Sequence, residues 1–166
     1  KISKRAGSYL TLKDLIDEVG CDATRYFLVA RRPDSQLVFD IDLAKSQNND
    51  NPVFYIQYAH ARISKVLEQW GGDISELKLD DSFIFDSQAE LKLIKSISIY
   101  PEIVLQATEE LAPHQIANFL KDCAGELHSY YNDSKFLVEN EKIKIARLSL
   151  INSAKYVLNN GLEILG

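Results

Sequence analysis

Two aromatics and two cations recur at helical spacing between residues 51 and 70: Tyr55, Tyr58, Arg62 and Lys65, with Gln69 completing the row. At 100° per residue these five share one arc of a helical wheel. Rings interleaved with cations are what a surface needs to stack on unpaired nucleobases while meeting phosphates. The same row also fits a solvated rim, with the tyrosines flanking a core and Arg62 and Lys65 pointing into water. His60 falls beside Ile56, Ile63 and Leu67 at the edge of the apolar stripe, the usual place of a hydrogen-bonded structural histidine. Gln57 shares a polar arc with Ala61, Ser64 and Glu68.

Three further spots carry chemistry. The opening "KISKRAG" packs Lys1, Lys4 and Arg5 around Ser3 and a glycine, the composition of a phosphate-facing loop. Tyr131 falls at the rim of a second apolar arc (Ile116, Phe119, Leu120, Cys123, Leu127, Tyr130), with Lys121, His128, Asn132 and Lys135 beside it. Arg147 lies inside the apolar arc of the last helical stretch, so it must snorkel or find a carboxylate. No Ser/His/Asp or Cys/His set can be assembled. Cys21 and Cys123 are far apart and in no CxxC context, so neither a disulfide nor a metal site is expected, and a reducing cytoplasm fits best.

The elements that must position these residues are helical. Thr11 caps a short helix that Gly20 ends. Asp22 is expected to cap a second, "ATRYFLVARR", stopped before Pro33. "QLVFDI" reads as extended, and a polar connector follows. Asn51-Pro52 opens the helix bearing the aromatic–cation row, and Gly71-Gly72 close it. Beyond an acidic linker, Asp86 is expected to cap a helix interrupted at Pro101. Pro113 opens a long helix to about Leu137, and residues 139–160 form the last. The spacing predicts an all-α helical bundle over 51–166, behind a short mixed segment over 1–50.

A chain of 166 residues, 46% hydrophobic and 26% charged, supports one folded domain. No apolar run reaches the roughly 20 residues a membrane span needs. The net charge of −5 argues against a strongly basic nucleic-acid binder. Its distribution qualifies this: residues 1–65 hold ten Lys/Arg against eight Asp/Glu, whereas the rest of the chain is acidic. A polyanion would therefore meet the N-terminal third.

Three stretches together resemble the C-terminal part of the arginyl-tRNA synthetases, a class I aminoacyl-tRNA synthetase family. "KISKRAG" resembles the class I KMSKS loop, with Ile2 where Met is usual and Arg5 where Ser is. "LIDEVGCDATRYFLVARRPDSQLVFDIDLAKSQNNDNPVFYIQYAHARI" is similar throughout to the segment after that loop, and "LHSYYNDSKFL" to a late helix. The resemblance covers essentially the whole chain. It implies a fragment cut at the KMSKS loop, catalytically inactive alone, whose HIGH-containing catalytic domain lies upstream. In the full-length ligase, Lys1, Ser3 and Lys4 would then meet the phosphates of ATP, with ATP and Mg as substrates and no cofactor in the fragment.

The resemblance further implies that residues 51–166 form a DALR-type anticodon-binding bundle and residues 1–50 a loop and stem-contact connector. Tyr58, Arg62 and Tyr131 become candidates for contact with tRNA(Arg), with His60, Gln57 and Asn132 as supporting groups. Asp22 and Arg25 are expected to cap and bridge helices near the loop. The expected partners are that tRNA and the catalytic domain; the fragment is expected to be monomeric, or an adventitious dimer, and cytoplasmic. Two alternatives stay open on the residues alone: the related bundle of cysteinyl-tRNA synthetase, and a helical protein–protein scaffold without an RNA role.

Overall fold

The computed structural model describes residues 11–36, 38–78, 80 and 83–166, so Lys1, Ser3 and Lys4 lie outside the described residues. Within these limits every regular element is helical and no strand occurs. Eight α-helices follow in order: α1 (Leu12–Val19), α2 (Cys21–Val29), α3 (Ile41–Lys45), α4 (Pro52–Trp70), α5 (Gln88–Ser98), α6 (Tyr100–Glu109), α7 (His114–Asp133) and α8 (Glu141–Leu165). A single 3-10 turn, Ile74–Glu76, lies between α4 and α5.

Local chemistry explains most boundaries. Thr11 and Asp14 form a reciprocal capping box at the start of α1. The Asn51 side chain is buried and pins the start of α4 from both directions. Its Oδ1 accepts from the Val53 amide at 3.0 Å, and its Nδ2 donates to the carbonyls of Ala44 and Ser46. Gly71 closes α4 at φ 68°, left-handed backbone that glycine adopts without a Cβ penalty.

Several expected boundaries shift. The described part before residue 51 mixes short helices with non-helical chain: residues 38–40 are not helical, Asp40 is extended, and α3 starts at Ile41 because the Asp40 carboxylate caps the Leu43 amide at 2.9 Å. Asp22 does not cap α2. The cap position is Gly20, and Asp22 sits in the first helical turn. The same helix ends at Val29, ahead of a turn in which Ser35 bonds the Arg32 carbonyl. Ser87 caps α5 in place of Asp86, its hydroxyl taking the Glu90 amide at 3.1 Å. The long seventh helix stops at Asp133, not Leu137, because the chain turns to bury Phe136 edge-on against Tyr130. Asn140 then caps α8, which runs on to Leu165.

The core is a bundle in which α7 packs against α4, α5, α6 and α8. Ile56, Ile63, Leu93, Leu120, Leu127, Tyr130, Ile151 and Leu158 are essentially removed from water. Cys123 is buried among them and Cys21 is exposed. Where α7 crosses α8, a Cβ on Gly161 would fall 2.5 Å from the end of the Leu120 side chain, which would have to move to admit it. The N-terminal helices join the bundle through α2. The Tyr26 hydroxyl donates to the Ala117 carbonyl at 2.8 Å, and the Arg25 guanidinium reaches the Leu165 carbonyl at the end of α8. Arg25 therefore bridges α2 to the end of α8, while the loop near which this bridge was expected lies outside the described residues.

Arg147 meets the carboxylate that its position demanded. Its Nε donates to Glu90 Oε1 at 3.1 Å, and its Nη1 to the Lys135 carbonyl at 2.7 Å. The Tyr130 hydroxyl also donates to Glu90 Oε1. Burial and the neighbouring carboxylate hold that phenol well above its ordinary pKa, so it stays a donor.

Candidate nucleic-acid interface

The regular pitch of α4 places Tyr58 one turn before Arg62, and α7 lays Tyr131 against the same guanidinium. The Arg62 Cζ lies 4.5 Å from the Tyr58 ring centroid and 4.6 Å from that of Tyr131. The cation is thus held between two aromatic faces, each contact worth about 0.5–2 kcal/mol depending on desolvation. Phe54 extends the ladder, stacked on Tyr58 with centroids 5.7 Å apart and planes 17° from parallel. Tyr58 is 40% exposed, so part of this ladder faces solvent.

Beneath the ladder lies His128, buried on α7. Its ring sits 4.4 Å from that of Tyr55 and 5.6 Å from that of Tyr58. Nε2 is 3.1 Å from the Tyr55 carbonyl and Nδ1 is 3.1 Å from Arg62 Nη1. A carbonyl can only accept and a guanidinium can only donate, which fixes the tautomer: Nε2 carries the proton and Nδ1 presents a lone pair. Burial, reinforced by the Arg62 charge and partly offset by the bond to the Tyr55 carbonyl, lowers the basicity of this ring. His128 is neutral in this arrangement. Among the described residues no carboxylate lies within ion-pair distance of Arg62, so none of them neutralises it by direct contact.

The other candidates separate. Tyr131 also touches Phe136, with centroids 5.6 Å apart, and lines a groove of about 290 Å³ with Val66, Gln69, Ser134 and Lys135. Asn132 is exposed next to Tyr131. Gln57 lies outside the Tyr58–Arg62–Tyr131 clamp, in a groove it shares with Phe54 at the far end of the ladder. Its Nε2 donates to Asp22 Oδ2 at 3.3 Å, in a groove of about 530 Å³ where α2, α3 and α4 meet. His60 is half-buried elsewhere on α4, where burial and the charge of Lys155 on α8 lower its basicity. The structure thus gathers Tyr58, Arg62 and Tyr131 and leaves Gln57 and His60 outside. His128, placed beside Tyr131 by the helical wheel, was not among the candidate contact residues, yet it joins the cluster. Its i,i+3 spacing to Tyr131 was the available signal.

Among the described residues no group of three or more His, Cys, Asp or Glu is placed to hold a metal ion. No described helix is long and apolar enough to cross a membrane. Chemically the arrangement offers a partly exposed tyrosine and a cation held in place beside it, a combination suited to binding.

Residues 56–166 match the family model described as the DALR anticodon binding domain. An arginine–tRNA ligase of Nitrosospira multiformis is 52% identical over 99% of this chain, and that of Bordetella petrii 51% identical over all of it. The chain spans only 28% and 30% of those two relatives. A crystal structure from Campylobacter jejuni, described as an arginyl-tRNA synthetase, superposes with a TM-score of 0.86 at 28% identity. That superposition covers 99% of this chain and 36% of the other.

Proposed function

Since the chain belongs to the DALR anticodon binding domain family, we propose that it reads the anticodon of an arginine tRNA as part of an arginine–tRNA ligase. The observation that carries this is the Tyr58–Arg62–Tyr131 ladder: a guanidinium that no described carboxylate contacts, clamped between two rings, one of them 40% exposed. An unstacked anticodon base would meet the exposed part of Tyr58 at the side of the Phe54–Tyr58–Arg62 ladder, adding its own ring to that aromatic row. Arg62 would supply charge toward a phosphate or a base edge without moving, because its own contacts already fix it. Tyr131 closes the clamp, and Asn132 next to it offers an amide for edge recognition. Gln57 and His60 would act as structural groups, the first tying α4 to α2 and the second facing α8.

In this reading residues 51–166 form the anticodon-reading bundle. Residues 1–50 connect it to the catalytic part of the ligase, where Lys1, Ser3 and Lys4 would meet ATP phosphates during arginine activation with Mg²⁺. The partners are tRNA(Arg) and that catalytic part, and the compartment is the cytoplasm.

The test is fluorescence anisotropy of the chain with an arginine anticodon stem-loop, against the same hairpin with a scrambled anticodon, at low and moderate salt. Anticodon-dependent binding is expected. Equal, steeply salt-dependent binding to both hairpins would reduce the interaction to nonspecific attraction and sink the reading.

A further inference from the structure

We propose that His128 is a positioning residue for Arg62: it offers the guanidinium a neutral acceptor in place of a carboxylate, so that the cation is fixed in place yet left free for an anionic ligand. The argument begins with what Arg62 requires. A half-buried guanidinium beside two tyrosines needs somewhere to direct its inner N–H groups, or it pays their desolvation. A carboxylate would answer that need most strongly, but it would also neutralise the charge that a phosphate or a base edge has to meet. The Nδ1 of His128, 3.1 Å from Arg62 Nη1, answers it without charge.

That acceptor exists only because the opposite side of the ring is committed. The Tyr55 carbonyl, 3.1 Å from Nε2, takes the single proton of the neutral imidazole. The ring is also held in orientation by Tyr55 and Tyr58, at 4.4 and 5.6 Å between centroids. One histidine thus couples the α4 backbone at Tyr55 to the α4 side chain at Arg62, two turns further on, from across the interface on α7. His128 is only 6% exposed and does not face the ligand. It acts through Arg62. This inference rests on the reading of the ladder as an anticodon site, and the test keeps the two apart.

Four substitutions divide the ring's functions. His128→Asn keeps an acceptor near the Nδ1 position and loses the donor to Tyr55. His128→Gln keeps a donor near Nε2 and loses the acceptor. His128→Phe removes both, and His128→Asp holds Arg62 while neutralising it. With the anticodon hairpin, His128→Asn should bind within about threefold of the parent, whereas His128→Gln and His128→Phe should bind roughly tenfold more weakly, the value of one hydrogen bond to a charged group. The Asp variant should weaken binding and flatten its salt dependence. A purely structural role instead has affinity follow the urea midpoint, with the Asn and Gln variants falling together; that result would overturn the inference. So would an Asp variant that binds with the parent's affinity and salt slope.

A spectroscopic arm is independent of RNA. Long-range ¹H–¹⁵N spectra of the unsubstituted chain should show Nδ1 unprotonated and the Arg62 side-chain N–H protected from exchange. Protection should survive in His128→Asn and be lost in His128→Gln. A protonated Nδ1 in the parent would overturn the inference even if every variant failed to fold. If the parent does not distinguish the two hairpins, the anticodon reading falls, and these spectra still decide whether His128 holds Arg62.

Discussion

Arg147 and Arg62 sit at neighbouring helix interfaces of one bundle and receive opposite treatment. Arg147, 22% exposed, is paired with Glu90, itself 4% exposed, and that carboxylate also takes the Tyr130 hydroxyl. Arg62 receives two rings and an uncharged imidazole. In the first cluster each charge is answered inside the protein, and the product is a fixed junction of α5, α7 and α8. In the second the geometry is satisfied, while none of the described carboxylates pairs directly with the charge. The contrast teaches how to tell a structural arginine from one kept for a ligand: by asking whether its counter-charge lies within the fold.

The comparison can be broken most forcefully at Glu90. Replacing it with Ala leaves Arg147 and the Tyr130 hydroxyl without their shared acceptor, and the fold should lose about 3 kcal/mol. Urea denaturation would show this, and anticodon preference in the folded fraction should be unchanged. A loss of preference without a loss of stability would reverse the assignment of the two clusters. Next come Tyr58→Ala and Arg62→Ala, each expected to weaken hairpin binding by roughly 1–3 kcal/mol. The fold itself should lose only about 1 kcal/mol in each case. Unchanged affinity in a folded Tyr58→Ala chain would remove that ring from the binding face.

A gentler handle is pH. His128 is less basic in the fold than its ordinary value of 6.5, through burial first. The unfolded chain therefore takes up the proton at higher pH than the folded one. The contribution of His128 is complete above about pH 6.5 and is lost as pH falls from there through the lower folded value. Protonation would set a second cation against Arg62, with Tyr55, Tyr58 and Tyr131 as the only other titratable neighbours among its ring and ladder contacts. His60, also lowered, adds a slope of the same sign. Urea midpoints at pH 7.5 and 5.5 should therefore diverge less in His128→Asn than in the parent. Identical divergence in both would show that His128 does not carry the effect. The smallest expected effect is that of Lys45→Ala, which removes a half-exposed ion pair with Glu18 and should change stability by under about 0.5 kcal/mol. A larger change would mean that exposed pairs cannot serve as a baseline for the two arginines.

Much of the bundle was legible because its signals are local. Asn51-Pro52 and Gly71 bracket α4 by capping chemistry alone, and the apolar stripe from Ile56 to Leu67 is its buried face. Neighbouring candidates misled where two residues could do the same job, as with Asp86 and Ser87 before α5. The early end of α7 was not legible, since burial of Phe136 against Tyr130 is a tertiary preference that overrides a continuing helical pattern. At the site, Tyr58 and Arg62 were readable from one wheel. Their link to His128 spans 66 residues, and no period within a single helix encodes it. Gln57 and His60 entered as supporting groups through the family resemblance, although at 100° per residue the wheel already places both off the face of Tyr58.

The burial of Cys123 has a practical corollary in thiol chemistry. Its pKa is pushed up to about 11, mainly by desolvation, so the folded chain holds that sulfur as an unreactive thiol. Cys21, the other of two cysteines, is exposed at the start of α2. A maleimide dye would therefore label the native protein once, at a point within the groove shared by α2, α3 and α4. A second label would be taken up only by molecules that have opened their core. Counting labels per chain by mass then measures the unfolded population directly, without any denaturant.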